Sequence, residues 1–291
     1  MKGVVCPVDL HAHTCRSDGS LTPTEFVDLA IQKGLKAVAI TDHDTVDGLD
    51  EAIKYAADKD IELIPGIELS TSYLGRDVHI VGLYIDYHNE AFKAHLTNFL
   101  ATRDLRNMKM CKKLHDEAGL DISFEEVTKE NPDCTITRSH IAKYLLKHGQ
   151  IKSIKEGFDR YLNDRSKYYV PRELINPSEA VNLILECGGI PVLAHPVLYG
   201  LGKEKLDTLV GKLKEAGLIG IEAIYCTYTP SDERDIKALA AKYELCLSGG
   251  SDYHGAVKPG LELGNGYGKL FVPETVLDDL KARKPYRIKT V

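Results

Sequence analysis

The chain has 291 residues, 43% hydrophobic and 27% charged, with a formal net charge of −6 and seven cysteines. This composition supplies a real core and excludes a disordered chain. The absence of any apolar run of about 18 residues argues against a membrane span, and the acidic balance argues against bulk attraction to nucleic acid. The N-terminus lacks the basic-then-apolar layout of a signal peptide. Irregular cysteine spacing without a CxxC pair points to reduced thiols and a cytoplasmic setting.

In chain order, strands are expected at Val4–Leu10, Ala37–Thr41, Glu62–Ile67, Val78–Ile85, Ile190–Ala194, Gly220–Tyr225, Leu245–Gly249 and Leu270–Val272. Between them lie amphipathic stretches. In "TPTEFVDLAIQKG", Thr22 is the N-cap, Pro23 the first helical residue, Glu25 the capping-box partner and Gly34 the stop. Further helices are expected at Gly48–Asp58, Ser178–Cys187, Lys203–Ala216, Ser231–Tyr243 and Glu274–Arg283, the last closing a barrel. Strand–helix alternation at this spacing implies βαβ units and a mostly parallel sheet. About seven such repeats favour a barrel over an open sheet, and no GxGxxG follows the first strand.

Residues 88–172 break the rhythm. "NEAFKAHLTNFLATRDLRNMKMCKKLHDEAG" reads as one long helix, and "RSHIAKYLLKHG" and "SIKEGFDRYLN" as two shorter ones. This stretch is an insert between barrel segments 1–87 and 173–291. It carries 16 Lys+Arg against 12 Asp+Glu, whereas the remainder carries 21 against 31, so a basic insert sits on an acidic body.

The chemistry gathers at strand ends. "DLHAHTCRSDG" follows the first strand, and alternation puts Asp9, His11 and His13 on one face. Two imidazoles two residues apart can reach one cation. "TDHDT" ends a strand on His43, flanked by Asp42 and Asp44. "GIELS" ends on Glu68, "DVHIV" starts a strand with His79, "AHP" ends on His195, and "GSDYHG" brings Asp252 and His254. In α/β barrels, catalytic groups collect at the C-terminal strand ends. So many acids and imidazoles at one rim are not explained by packing. Nitrogen and oxygen donors without cysteine suit Mn, Fe, Zn or Mg.

These blocks resemble the motifs of the PHP (polymerase and histidinol phosphatase) superfamily of phosphoesterases, and the helical insert resembles the TrpH/YciV-like branch. The resemblance implies a distorted (β/α)7 TIM-like barrel with a helical insertion acting as a substrate cap. It implies three divalent ions per chain, manganese first. One would be held by His11, His13, Glu68 and Asp252. A second would share Glu68 with His79 and His195. A third would take Asp18, His43 and His254. Glu68 is expected to bridge the first two ions beside the attacking water, and Asp18, His43 and His254 to carry the ion that meets a phosphoryl oxygen. Asp9 and Asp42 are expected to hold histidine tautomers.

The branch acts on nucleoside 3′,5′-bisphosphates or trims 5′ ends of short RNA. Arg138 and His140 of "TRSH" match its R-x-H pattern for a second phosphate. Ser166 stands where the branch carries a lysine, with Lys167 one place on. Tyr144, Tyr161, Tyr168 and Tyr169 are expected to pack the insert, Cys15 to fill space, and His88, His95, His115 and His148 to lie on the surface. The expected partner is a small phosphorylated substrate, nucleotide or sugar phosphate, with short RNA as an extension and no obligate protein partner. Alternative readings are a cyclic-phosphate or sugar-phosphate hydrolase, and a non-catalytic accessory module. The second would show lost ligands, and none is missing.

Overall fold

A computed structural model describes residues 7–172 and 174–284. Its sheet runs in the order β7-β6-β5-β4-β3-β2-β1-β8. The strands are β1 (Pro7–Asp9), β2 (Ala37–Ile40), β3 (Glu62–Tyr73), β4 (Arg76–Leu83), β5 (Ile190–Leu193), β6 (Gly220–Tyr225), β7 (Cys246–Gly250) and β8 (Val272–Pro273). The ring closes where the chain after β1 meets the end of β7. Leu10 N donates to Gly249 O, Asp252 N to His11 O and His13 N to Tyr253 O, at 3.2, 2.8 and 2.9 Å. The molecule is thus the expected α/β barrel. The part of the first strand predicted at residues 4–6 lies outside the described residues.

Around the barrel pack α1 (Pro23–Gln32), α2 (Leu49–Ala56), α7 (Pro177–Glu186), α8 (Lys203–Glu215) and α9 (Pro230–Lys242), with α10 (Glu274–Ala282) last among the described residues. The Thr22–Glu25 capping box forms as the sequence implies. Apolar residues divide into two barrel layers. Val8, Leu10, Ala37, Ile64, Val81 and Val192 cluster with Val276, Leu277 and Leu280 of α10. Phe26, Val27, Ile184, Leu209 and Ile236 seat the outer helices. Each large apolar side chain so buried contributes on the order of 1.5–3 kcal/mol.

One departure from a mostly parallel barrel matters for the site. Strand β3 runs six residues past the predicted Ile67, to Tyr73. It turns through Leu74 and Gly75, both at positive φ (51° and 72°), straight into β4. Positive φ at both central residues marks the two-residue hairpin turn that matches strand twist. β4 therefore pairs antiparallel with both β3 and β5. The start of β4, not its end, lies at the barrel mouth.

The insert comprises α3 (Glu90–Ala118), α4 (Phe124–Glu130), α5 (Arg138–Lys147), α6 (Ile154–Gly157) and a π-helical turn at Phe158–Leu162. Helix α4, absent from the sequence-based expectation, is too short to show periodicity. Phe92 and Leu96 of α3 pack on the barrel. From Met110 onward the insert has its own cluster, including Leu114, Val127, Ile141, Leu145 and Leu162. Tyr144 and Tyr161 join it as expected. His88, His95, His115 and His148 are exposed.

Candidate active site

The mouth is held together by main-chain bonds that extend the ladder beyond the strands. Thr41 N donates to Ala12 O, Asp44 N to Glu68 O, Glu68 N to Asp42 O and Ala194 N to His79 O. These bonds put residues far apart in sequence in fixed register. Gly250 lets β7 approach β1, because a Cβ there would sit 2.5 Å from the His11 Cβ. Asp44, His195 and Asp252 adopt positive φ (53°, 26° and 53°), unusual for residues with side chains. Such backbone costs on the order of 1–2 kcal/mol per residue and clusters at functional sites.

Glu68 is the hub, and it is 1% exposed. Its Oε1 lies 2.8 Å from His79 Nδ1, 3.0 Å from His195 Nε2 and 3.4 Å from His11 Nε2. Its Oε2 lies 3.0 Å from His43 Nδ1 and 3.3 Å from His13 Nε2. Asp252 Oδ1 faces His13 Nε2 at 3.2 Å, His254 Nδ1 at 3.4 Å and His11 Nε2 at 3.8 Å. Asp18 Oδ1 faces His254 Nε2 at 3.2 Å and His43 Nε2 at 3.9 Å. All nine predicted donors, His11, His13, Asp18, His43, Glu68, His79, His195, Asp252 and His254, thus converge. His79 arrives because β4 is antiparallel.

This cluster fits divalent cations. Its donors fall into four overlapping groups, each within 4.8 Å: His13, Asp18, His43 and His254; His11, Glu68 and His195; His11, His13 and Asp252; His43, Glu68 and His79. His11 Nε2, His13 Nε2, His43 Nδ1 and Asp18 Oδ1 are buried without a hydrogen-bond partner. Buried lone pairs aimed at one another are costly unless a cation sits between them. Burial, only partly opposed by Glu68 and Asp18, pushes the His43 imidazole down to about 3. Burial alone would raise Glu68, but His79, His43 and His11 hold it well below the usual carboxylate range. A neutral imidazole and an ionised carboxylate are the forms that bind metal.

Several groups fix these donors, and not all are the expected ones. Glu222 of β6, 2% exposed, lies 3.2 Å from His11 Nδ1 and accepts from His195 N at 2.7 Å. It directs His11 Nε2 at the cluster. The sequence reading passed it over, although a lone acid inside "GIEAIY" was a signal. Tyr225 OH and Lys258 Nζ both donate to Asp252 Oδ2 at 2.6 Å, leaving Oδ1 for the histidines. Asp42 accepts from Ser17 Oγ at 2.5 Å, and that hydroxyl lies 3.4 Å from His13 Nδ1, so Asp42 reaches a histidine through a serine. Asp9 does not hold a tautomer. Its carboxylate accepts from Ser251 and Gly264 and from the His11 backbone, tying loops together. Cys15 belongs to none of the donor groups.

Beside Asp18, His43 and His79 opens a cavity of about 140 Å³ whose lining includes four arginines, Arg103, Arg106, Arg138 and Arg172. Arg138 is there as expected, but it is already engaged. Its Nη2 donates to Asp77 at 2.7 Å and its Nη1 to Leu162 O at 3.0 Å. The expectation for His140 needs correction. It is 2% exposed, does not line the cavity, and accepts from Thr137 N at 3.0 Å to cap α5. Its imidazole is pushed down to about 4, chiefly by burial. Position N3 of a helix turns the side chain back on the N-cap, which removes it from the anion. Tyr169 lines the cavity rather than only packing. Lys167 is exposed and lies over Tyr168.

The sequence reading missed Arg103, Arg106 and Arg172. The first two sit three residues apart on α3 and so share a face, but nothing local says that this face overlooks the barrel.

The model of the PHP domain matches residues 9–170. The chain belongs to the PHP domain family. This PHP-domain chain is 35% identical over 84% of its length, and 89% of the relative's, to a 5′-3′ exoribonuclease of Haemophilus influenzae. It is 34% identical to a 3′,5′-nucleoside bisphosphate phosphatase of Chromobacterium violaceum, over 89% of this chain and 90% of that one. A crystal structure from Bifidobacterium adolescentis, described as that of a metal-dependent phosphoesterase, shares 30% identity and a TM-score of 0.83 over 97% of both chains. The PHP-domain chain is a metal-dependent hydrolase of phosphoric esters. Among its described residues, no helix is long and apolar enough to cross a membrane.

Proposed function

We propose that the chain removes the 3′-phosphate of a nucleoside 3′,5′-bisphosphate and, by the same chemistry, trims 5′-phosphorylated ends of short RNA. The observation that carries this reading is the shared wall. Asp18, His43 and His79 of the metal-type cluster also line the arginine cavity. One phosphate can lie at the cluster while a second lies among guanidiniums. The named activities of the two curated relatives support this choice of substrate.

His11, His13, Glu68 and Asp252, then Glu68 with His79 and His195, then Asp18, His43 and His254 would hold three divalent ions, manganese first. Such ions offset charge on phosphoryl oxygens and make water nucleophilic at neutral pH. The chain's own residues do the rest. Glu68 gathers five imidazoles and sets the spacing of the cluster. The arginines fix the non-reacting phosphate, so that the ester is held at one distance from the cluster, a positioning effect of large kinetic value. Residues 88–172 act as a cap on the barrel of residues 1–87 and 173–291. Thr137 Oγ1 donates to Asp18 Oδ2 at 3.1 Å, and Thr135 N to Arg16 O at 2.8 Å, seating the cap on the mouth. Free thiols at the six described cysteines support a cytoplasmic setting.

The test is a substrate screen with manganese-loaded protein: adenosine 3′,5′-bisphosphate, 3′-AMP, 5′-AMP, a cyclic phosphate, sugar phosphates and a 5′-phosphorylated trinucleotide. The reading requires the bisphosphate to exceed 3′-AMP in kcat/KM by at least tenfold. Preference for the cyclic or sugar phosphate overturns it.

A further inference from the structure

Four arginines line the cavity, but they do not carry equal duty. Asp44 Oδ2 accepts from Arg103 Nη2 at 2.5 Å and from Arg172 Nη1 and Nη2 at 3.2 and 3.1 Å. Its Oδ1 accepts from Ser70 N at 2.8 Å, so both carboxylate oxygens are engaged. The Arg103 guanidinium also donates to Ser70 Oγ at 2.9 Å. Asp77 engages Arg138. Three cations are thus tied to two carboxylates.

Arg106 differs. Like Arg103 it is buried, lines the same cavity and has an Nε without a partner, but it lacks the terminal-nitrogen bonds that Arg103 makes to Asp44 and Ser70. Among the described residues it has neither a hydrogen-bond acceptor nor an ion-pair partner. Burial and the guanidiniums of Arg103, Arg138 and Arg172 push it down to about 9, the direction expected of a cation lacking a counter-charge. A buried, unpaired charge is expensive and persists where a ligand compensates it. Against the carboxylates of Asp18, Asp44 and Asp77, the four guanidiniums leave one positive charge in excess among the described residues, which suits a phosphate anion.

We propose that Arg106 is the residue that grips the second phosphate of the substrate, while Asp44 and Asp77 lock Arg103, Arg172 and Arg138 into the frame around it. The inference rests on the doubly phosphorylated substrate proposed above. It moves the decisive contact away from Arg138, on which the sequence motif had placed it. A planar guanidinium with free donors suits bidentate capture of phosphate.

The experiment uses the full-length, manganese-loaded protein with Arg106→Gln, Arg106→Lys and Arg138→Gln. Calorimetry reads the Kd of 5′-AMP, and kinetics read KM and kcat for adenosine 3′,5′-bisphosphate and 3′-AMP. Arg106→Gln should weaken 5′-AMP binding and raise the bisphosphate KM at least tenfold, with the 3′-AMP parameters unchanged. Arg106→Lys should recover part of the loss, and Arg138→Gln should cost less. Without nucleotide, the Tm of Arg106→Gln should equal or exceed that of the unaltered protein, since an uncompensated charge has been removed; a structural arginine would lower it. An unchanged Kd for 5′-AMP, an equal KM rise for both substrates, or a lowered Tm in the Arg106→Gln protein overturns the inference. If the unaltered protein does not prefer the bisphosphate, the substrate reading fails by itself, and the Kd and Tm comparisons still judge Arg106.

Discussion

Replacing Glu222 by glutamine tests whether one buried carboxylate sets the ligand geometry. Glu222 faces His11 Nδ1 at 3.2 and 3.4 Å through its two oxygens and accepts from His195 N at 2.7 Å. A carboxylate beside Nδ1 keeps a ring proton there, so that Nε2, which faces Glu68 and Asp252, is the nitrogen left to ligate a cation. Glutamine has nearly the same volume and keeps one acceptor for His195 N. Its amide NH₂ then confronts His11 Nδ1 and favours the opposite tautomer, with the proton on Nε2 facing the cluster. The loss of such an orienting partner reduces metal affinity by about 10–100-fold, or about 1.4–2.7 kcal/mol. The fold should suffer less, because no cavity opens. Titration of manganese into chelator-treated Glu222→Gln protein, followed by calorimetry, should show this weakening, and metal analysis after dialysis should show sub-stoichiometric content. Unaltered manganese affinity and content would refute the argument that Glu222 sets the His11 tautomer.

Three further outcomes are expected. His11→Asn or Asp252→Asn should abolish turnover and lower bound metal, and EDTA should do both to the unaltered protein while lowering its Tm through loss of linked binding; turnover that survives chelation would contradict the site. His140 has its folded pKa lowered to about 4 from the usual 6.5. Its contribution is therefore complete above pH 6.5 and is lost as pH falls towards 4. Between pH 7 and pH 5, urea unfolding should show Arg-rich cap stability falling in the unaltered protein by about 2 kcal/mol more than in His140→Gln, where glutamine can still accept from Thr137 N; equal losses would refute it. Leu280→Ala on α10, where Leu280 is fully buried beneath the barrel, should cost about 2–5 kcal/mol, read as a lower urea midpoint with an unchanged slope and unchanged metal affinity.

Much of the fold was legible because its signals are local. Thr22, Pro23 and Glu25 define a helix start within four residues, and the box is present in the structure. Strand β2 is apolar throughout because both faces are covered. The donor types were legible for another reason: a buried acid or imidazole at a strand end has few structural uses. Helix α4 and the length of β3 were not, since short or extended segments lack enough periodicity to register. His140 illustrates a different limit. A motif can place it beside Arg138 in sequence, but helix geometry sends neighbouring side chains in different directions.

The sequence by itself determined that imidazoles and carboxylates would stand at the ends of barrel strands, because alternation and chain direction oblige them to. Only the tertiary structure decided which nitrogen of each ring faces the cluster, that an antiparallel β4 delivers His79 to it, and that among the described residues Arg106 has no ion-pair partner while Asp44 and Asp77 occupy its neighbours. Such outcomes depend on separations of a few ångströms between residues that are tens to hundreds of positions apart. Those separations are set by long-range packing, and no local pattern encodes them.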